Sequence, residues 1–340
     1  MKRHIAQLLQ SLDLIDFIKN NARKNPLLGS FYKIGAQWMT DHSFPQRMHL
    51  DPAGVCNLNC IMCAPRLTDK PMGVMPFELF RKIIDECSLH GPRAFALCKD
   101  GEPFINPRFL DMVAYIREKN TRNVIAITTN GLLLDERKSR DLLGLGVDKL
   151  TFSIRAASAE VYYEVCKSRE YEKVESNVRE FLRLKAEGGY AKPCVFLQFL
   201  PLAEASTERD DFMRRWQGYD VTLDLSGLFS WGGALDGQQF NHADFSRRYP
   251  CYELWFTPAI NWNGEVSVCS YDWNRDLIIG DLNHESLADI WQGEKMQHYR
   301  RLHREGKAQT LPTCDRCEIW AEYPDIFFWW QKSKAGSNRR

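Results

Sequence analysis

Three cysteines stand close together in the run Cys56-Asn57-Leu58-Asn59-Cys60-Ile61-Met62-Cys63, and no other feature constrains this chain as much. The Cys-x3-Cys-x2-Cys spacing puts three thiols on one short loop. Three thiolates suit three corners of a cubane iron–sulfur cluster and leave the fourth iron without a protein ligand. A fourth thiolate would make an electron carrier, because such clusters are normally held by four cysteines. An open iron can instead bind a substrate or a cofactor. Two other uses of the cysteines must be weighed. A structural zinc site takes four ligands, often as Cys-x2-4-Cys knuckles; Cys60 and Cys63 would form one knuckle, with Cys56 and His49 completing it. The three-plus-two spacing is unusual for that purpose. A disulfide framework fits less well, since 340 residues bury a core without staples and no signal peptide is recognisable.

Composition narrows the function further. Lys and Arg number 45 against 44 Asp and Glu, a formal net charge of +1, so no polyanion is indicated as partner. The basic residues are scattered, which leaves nucleic-acid binding without a footprint. No apolar run approaches the roughly 20 residues of a membrane span. Met1-Lys2-Arg3-His4 leads into a mixed segment, not an apolar h-region, and a cytoplasmic location is expected.

Residues 1–45 read as a helical extension: Ile5, Leu8, Leu9, Leu12, Ile15 and Ile18 recur at helical spacing, and Pro45 ends the region. From 46 to 235 short apolar runs alternate with longer amphipathic ones. Strands are expected at 48–50, 94–97, 124–128, 150–153, 195–199 and 221–225. Helices are expected near 77–89, 107–119, 135–144, 158–165, 172–187 and 206–216, with Pro76 and Pro107 at two helix starts. Six strand–helix units in series predict an α/β fold with a helix-covered parallel sheet. Residues 236–248 read as a polar linker, 249–320 as a small second domain with its own cysteines, and 321–340 as an aromatic and basic tail that docks the chain end.

The cysteine loop resembles the signature of the radical S-adenosylmethionine (SAM) enzymes, in which the open iron chelates the amino and carboxylate groups of SAM. The resemblance implies a partial (β/α)6 barrel and a [4Fe-4S] cluster on Cys56, Cys60 and Cys63. It places the active site at the carboxyl ends of the strands. After the second strand stands Cys98-Lys99-Asp100-Gly101-Glu102-Pro103, where the family carries Gly-Gly-Glu-Pro to receive the SAM ammonium. Asp100 replaces the first glycine, and Gly101, Glu102 and Pro103 match. Asn130, in Thr129-Asn130-Gly131, and Ser153 fall where the family contacts ribose and carboxylate; alone, Asn-Gly is simply a turn. The family's Ser-x-Asp-Gly reads Ser153-Ile154-Arg155-Ala156 here. Arg155 is the candidate for a substrate contact or base, or for holding the SAM carboxylate, since its fork binds carboxylates bidentately. A surface salt bridge is its plainer use. Lys167 and Arg169 sit where relatives carry a basic residue for that carboxylate. Met62 stands where many carry an aromatic beside the adenine.

Cys251, Cys269, Cys314 and Cys317 form a second group. Asn263-Gly264 signals a hairpin between the first two. Leu287, Ile290 and Trp291 open an amphipathic helix running toward Arg301. The layout resembles a SPASM/twitch-type auxiliary-cluster domain, and no cysteine follows Cys317, which implies a single auxiliary [4Fe-4S] cluster. Zinc is the competing occupant, because two hairpin cysteines with a Cys-x2-Cys knuckle also make a tetrahedral site. Of the other four cysteines, Cys87 is read as inert and buried. Cys98, beside Gly-Glu-Pro, is a candidate hydrogen-atom donor or a small core residue. No role is assigned to Cys166 and Cys194.

Together the resemblances imply a radical SAM oxidoreductase that cleaves SAM to a 5′-deoxyadenosyl radical and takes a hydrogen atom from a small-molecule substrate. The four-cysteine auxiliary group looks most like that of dehydrogenases acting on sugars and aminocyclitols, so oxidation of a secondary alcohol is expected. An external one-electron reductant such as flavodoxin or ferredoxin is implied. Modification of a ribosomally made peptide and redox-neutral epimerisation with Cys98 as donor are the alternatives. About 45 residues of extension make too short a leader-binding domain. A non-catalytic iron–sulfur protein is the reading from outside enzymology.

Overall fold

Buried residues alternate with more exposed ones along four of the six early strands, and this alternation builds the core. The computed structural model describes residues 43–322, apart from 201, 226–228, 236–247 and 249. The expected N-terminal helical extension, the linker and the tail therefore lie almost wholly outside the described residues. The strands are β1 (Arg47–Leu50), β2 (Ala94–Leu97), β3 (Val124–Thr129), β4 (Lys149–Ser153), β5 (Cys194–Gln198) and β6 (Thr222–Asp224). They pair in chain order and all in parallel. Between them run α1 (Phe77–Leu89), α2 (Phe109–Lys119), α3 (Glu136–Gly144), α4 (Ala159–Cys166), α5 (Tyr171–Glu187) and α6 (Arg209–Arg215).

In α1 the buried residues Phe80, Ile83, Ile84 and Cys87 follow the i, i+3, i+4, i+7 rule of a one-faced helix. They belong to the same buried core as Met48, Leu50, Phe95 and Leu97 from the strands. Asp135 and Ser158 cap α3 and α4, each accepting a backbone N–H three residues on. Pro76 is the residue just before α1, and Pro107 stands two residues before α2, so both prolines lie slightly outside the positions expected of them.

β1 and β6 do not pair, so the six parallel strands leave the barrel open. The free edge of β1 is taken by β7 (Ala259–Ile260), parallel to it, and β8 (Glu265–Ser267) and β9 (Ile278–Asp281) follow antiparallel. One nine-stranded sheet results. Its β7–β8 turn is the expected Asn263-Gly264, with Gly264 at φ 95°, where a side chain is disfavoured. The chain then forms α7 (Glu253–Phe256, preceding β7), α8 (Leu287–Gln292), α9 (Glu294–Arg304) and α10 (Ile319–Glu322). The single helix expected from Leu287 toward Arg301 is in fact two. Gly293, at φ −63° and ψ 161°, caps the first and starts the second. No described helix is long and apolar enough to cross a membrane.

Candidate active site

The loops after β1, β2, β3 and β4 meet at one end of the sheet, and Glu102 ties three of them. Its Oε1 accepts from the Thr129 hydroxyl (2.8 Å) and the Phe104 amide (3.2 Å), and its Oε2 accepts from the Asn130 amide (2.8 Å). The Glu102 amide donates in turn to the Val55 carbonyl (2.9 Å), next to Cys56. Burial pushes the Glu102 carboxyl up to about 7, against which these three donors pull. Both carboxylate oxygens are thus engaged by protein, and Glu102 braces the loops. Gly101 is the tightest point: a Cβ there would stand 2.1 Å from the Val55 oxygen and 2.3 Å from that of Ala53. Pro103 opens a short 3-10 turn over Pro103–Ile105.

The Asn130 side chain completes the brace. Its Nδ2 donates to Asn57 Oδ1 (2.7 Å) and lies 3.9 Å from the Cys56 sulfur, while its Oδ1 accepts from the Leu132 amide (3.0 Å). Cys56 is exposed at the rim, and Cys60 and Cys63 are half-buried. Burial and the neighbouring thiols Cys60 and Cys56 push Cys63 up to about 12. Cys60 likewise raises Cys56, and thiols held up in this way without a cation are suited to a strongly charged iron centre, which inverts that preference. Cys166, buried on α4, lies against Cys60 and is the largest cause of its raised pKa; nothing in the sequence signalled this pairing.

Arg155 follows β4 at φ 73°, a left-handed conformation that is rare for a side-chain-bearing residue. Its amide donates to the Gln198 carbonyl (3.2 Å), and its charge acts on Cys60. It therefore stands beside the cysteine loop. Ser153, half-buried, pairs with Gln198 across β4 and β5. Lys167 is exposed at the end of α4 in the left-handed conformation (φ 55°). Arg169 lies over the Tyr163 ring at 4.9 Å. Met62 is buried, and its carbonyl accepts from Trp231 Nε1 (3.1 Å). The Cys98 sulfur lies 3.7 Å from the Gly101 carbonyl, and burial drives its pKa well above that of a free thiol. Cys87 is buried as expected, and Cys194 is exposed.

A charged group that sequence reading missed lies against this loop. Lys99 Nζ pairs with Asp100 Oδ2 at 2.5 Å, both side chains being buried, and reaches the Asp272 carbonyl (3.4 Å). The Asp100 amide donates to Asp51 Oδ1 (3.4 Å). Asp51 Oδ2 and Asp100 Oδ1 are buried without partners. Burial, with Asp100 alongside, raises Asp51 to about 7. Two adjacent carboxyls that resist full ionisation can take up a proton.

Cys251, Cys269, Cys314 and Cys317 line one small enclosed cavity with Tyr271, His303 and Trp320. Burial pushes Cys314 and Cys317 up to about 12. The stretch 229–235 joins the two cysteine sets. Trp231 bonds Met62, Ser230 Oγ donates to Glu318 Oε2 (2.5 Å) beside Cys317, and the rings of Trp231 and Phe229 lie 6.2 Å and 5.6 Å from that of Tyr271.

Two family models match this chain: the radical SAM superfamily over residues 51–191 and the SPASM iron–sulfur cluster-binding domain over 251–318, together more than half of it. The chain belongs to the radical SAM superfamily. Membership brings SAM and a [4Fe-4S] cluster, and the SPASM domain brings auxiliary iron–sulfur. Among its relatives, the tungsten-containing aldehyde ferredoxin oxidoreductase cofactor-modifying protein of Pyrococcus furiosus is 24% identical over 319 residues, spanning 80% of this chain and 87% of that protein. The S-adenosyl-L-methionine-dependent 2-deoxy-scyllo-inosamine dehydrogenase of Niallia circulans is 24% identical over 267 residues, 77% of this chain and 88% of that one. The crystal structure of BtrN with AdoMet and 2-DOIA matches at TM-score 0.57 and 20% identity, covering 80% of this chain and 92% of that chain. That likeness shows the fold: a radical SAM partial barrel. The protein is a radical SAM oxidoreductase.

Proposed function

We propose that the protein oxidises a secondary alcohol of a small polyhydroxylated molecule, a sugar or an aminocyclitol-like compound. The observation that carries this reading is the convergence of four cysteines on one enclosed cavity. Four thiolates leave no iron of a single auxiliary [4Fe-4S] cluster open, which suits electron acceptance better than substrate ligation. The dehydrogenase of Niallia circulans supports the substrate class.

When bound, SAM and the two clusters supply the hydrogen-abstracting radical and a one-electron acceptor. Turning a carbinol into a carbonyl releases a hydrogen atom, a proton and an electron, so the chain itself must manage the proton. Cys56, Cys60 and Cys63 hold the first cluster, on a loop fixed by Glu102 and Asn130. Gly101 lets the backbone close on the loop, with Pro103 turning the chain away. Ser153 and Lys167 contribute polar groups to SAM. A guanidinium stays protonated, so Arg155 orients a hydroxyl or carboxylate and does not act as base. The Asp51–Asp100 pair takes the proton, with Lys99 holding its charge. An external one-electron reductant, flavodoxin or ferredoxin in kind, completes the cycle.

The test is anaerobic reconstitution followed by a panel of sugars and aminocyclitols deuterated at each carbinol carbon. About eight irons per chain, deuterium in 5′-deoxyadenosine and a ketone product in equal amount are expected. Deuterium transfer with an epimer as product, abolished by Cys98→Ala, would replace oxidation by epimerisation.

A further inference from the structure

His303 lines the four-cysteine cavity with one ring nitrogen bonded and the other without a partner among the described residues. It lies on α9, is 2% exposed, and lines the cavity with Cys251, Cys269, Cys314 and Cys317. Its Nδ1 accepts the backbone N–H of Cys251 at 3.2 Å. A ring nitrogen that accepts a hydrogen bond carries no proton, so the imidazole proton sits on Nε2. That Nε2 is buried and has no partner among the described residues. A buried donor left unpaired is costly, and an imidazole held in one tautomer by a cysteine of the same site has a fixed direction of donation. The acceptors along that lining are the sulfurs of a loaded centre and the Glu253 carboxylate, whose Oε2 is also buried without a partner among the described residues; only the sulfurs belong to the centre that the Cys251 amide ties the ring to.

We propose that His303 donates an Nε2–H hydrogen bond to a sulfur of the auxiliary centre and thereby holds its reduction potential up. The inference rests on the reading of that site as an electron-accepting iron–sulfur centre. A donor to sulfur stabilises the reduced, more negative state, and hydrogen bonds to the sulfurs are among the factors that set such potentials. His303 is a positioning residue for the electron, not a catalytic one. The backbone bond from Cys251 gives the arrangement its precision, because the ligand's own amide orients the ring that serves the cluster.

Two substitutions separate this role from a merely structural one. Asparagine places its Oδ1 near the position of Nδ1, so His303→Asn keeps the acceptor for Cys251 and removes the donor. Glutamine places its amide nitrogen near the position of Nε2, so His303→Gln keeps a donor and gives up the acceptor. Both are made in the full chain, reconstituted anaerobically, and followed by EPR during a redox titration of the auxiliary signal. His303→Asn should load iron fully and shift the midpoint to a more negative potential, while His303→Gln stays near the parent. An unshifted midpoint in His303→Asn, or a shift in His303→Gln alone, would overturn the proposal and leave His303 as a support for Cys251. If His303→Asn loads poorly, the parent protein labelled with 15N at Nε2 decides: hyperfine coupling of that nitrogen to the reduced centre is expected, and its absence overturns the proposal. Zinc at the site would instead sink the reading of the centre itself, a result distinct from an unshifted potential.

Discussion

Replacing Gly101 by alanine tests whether the cysteine loop is held by close backbone contact. The added Cβ would stand 2.1 Å from the Val55 oxygen, 2.3 Å from the Ala53 oxygen and 2.6 Å from the Val55 carbon. All three are backbone atoms, so no side chain can swing aside. The gap must open by about 1.4 Å before it reaches ordinary contact distance. Opening it also breaks the bond from the Glu102 amide to Val55, which is 2.9 Å long. Overpacking of this kind costs about 1–3 kcal/mol and a lost hydrogen bond about 0.5–1.5 kcal/mol, so a destabilisation of about 2–4 kcal/mol is expected. Val55 adjoins Cys56, and the same shift misplaces the first thiolate. Iron analysis after anaerobic reconstitution should therefore show loss of about four irons per chain, with the auxiliary centre kept, and SAM cleavage should collapse. Gly144→Ala is the control: nothing lies within 4 Å of its added Cβ. It closes α3, and alanine there should be neutral or slightly stabilising. Full iron loading and an unchanged urea midpoint in Gly101→Ala would refute the reasoning.

Glu102 is raised from 4.5 to about 7 in the folded chain, so the folded state binds more protons between those values. Its contribution is complete below about pH 4.5 and falls as pH rises to about 7, by roughly 3 kcal/mol, and the urea midpoint of the loaded protein should track this. In Glu102→Gln that slope should flatten, while the new amide NH2 facing the Asn130 N–H lowers stability at every pH; an unchanged slope would show that Glu102 stays ionised. Cys314→Ala should cut iron by about four per chain and abolish ketone formation while SAM cleavage persists; a variant still forming ketone would remove the electron-acceptor role. Glu86 accepts from the amides of Leu287 (2.9 Å) and Ala288 (2.8 Å) at the start of α8. Glu86→Ala should cost about 1–2 kcal/mol in urea unfolding, and no change would mean solvent caps the helix equally well. Trp231→Phe removes the donor to Met62 at 3.1 Å and should speed chelator extraction of iron from the Cys56–Cys63 loop; parent-like extraction would free Trp231 of that role.

The cysteine loop was legible because its ligands are neighbours in sequence, and the six strand–helix units because each carries its period locally. All six strands and six helices of this region stand within a few residues of their expected positions. What escaped was long-range. β7 is two residues long, too short to carry a pattern, so nothing announced that it would pair with β1. Lys99 and Asp272 meet across 173 positions, and Trp231 and Met62 across 169. Cys166 and His303 look like ordinary helix residues until the fold sets one beside Cys60 and the other beside Cys251. The break at Gly293 was visible in principle, since a glycine inside a helical period weakens it.

The pairing of β7 with β1 puts the two cysteine groups on one continuous sheet. Cys56 lies six residues beyond β1, and β7 and β8 run between Cys251 and Cys269. Once these strands are neighbours, the approach of the two sites is fixed by a sheet and not by a linker. Side chains then lock the arrangement. Trp262, in the β7–β8 turn, presses on Gly54 and Gly73, where a Cβ would come within 2.7 Å and 2.6 Å of the indole. Arg275 donates to the Pro71 carbonyl (2.9 Å), Lys70 to the Arg275 carbonyl (2.9 Å), and Lys82 to the Leu282 carbonyl. Glu86 on α1 caps α8. These contacts all bridge the core and the auxiliary module. The proposed transfer of an electron from a substrate to a second cluster needs a steady separation, and a shared sheet edge supplies it more firmly than a hinge between independent domains, whose relative motion is the default expectation.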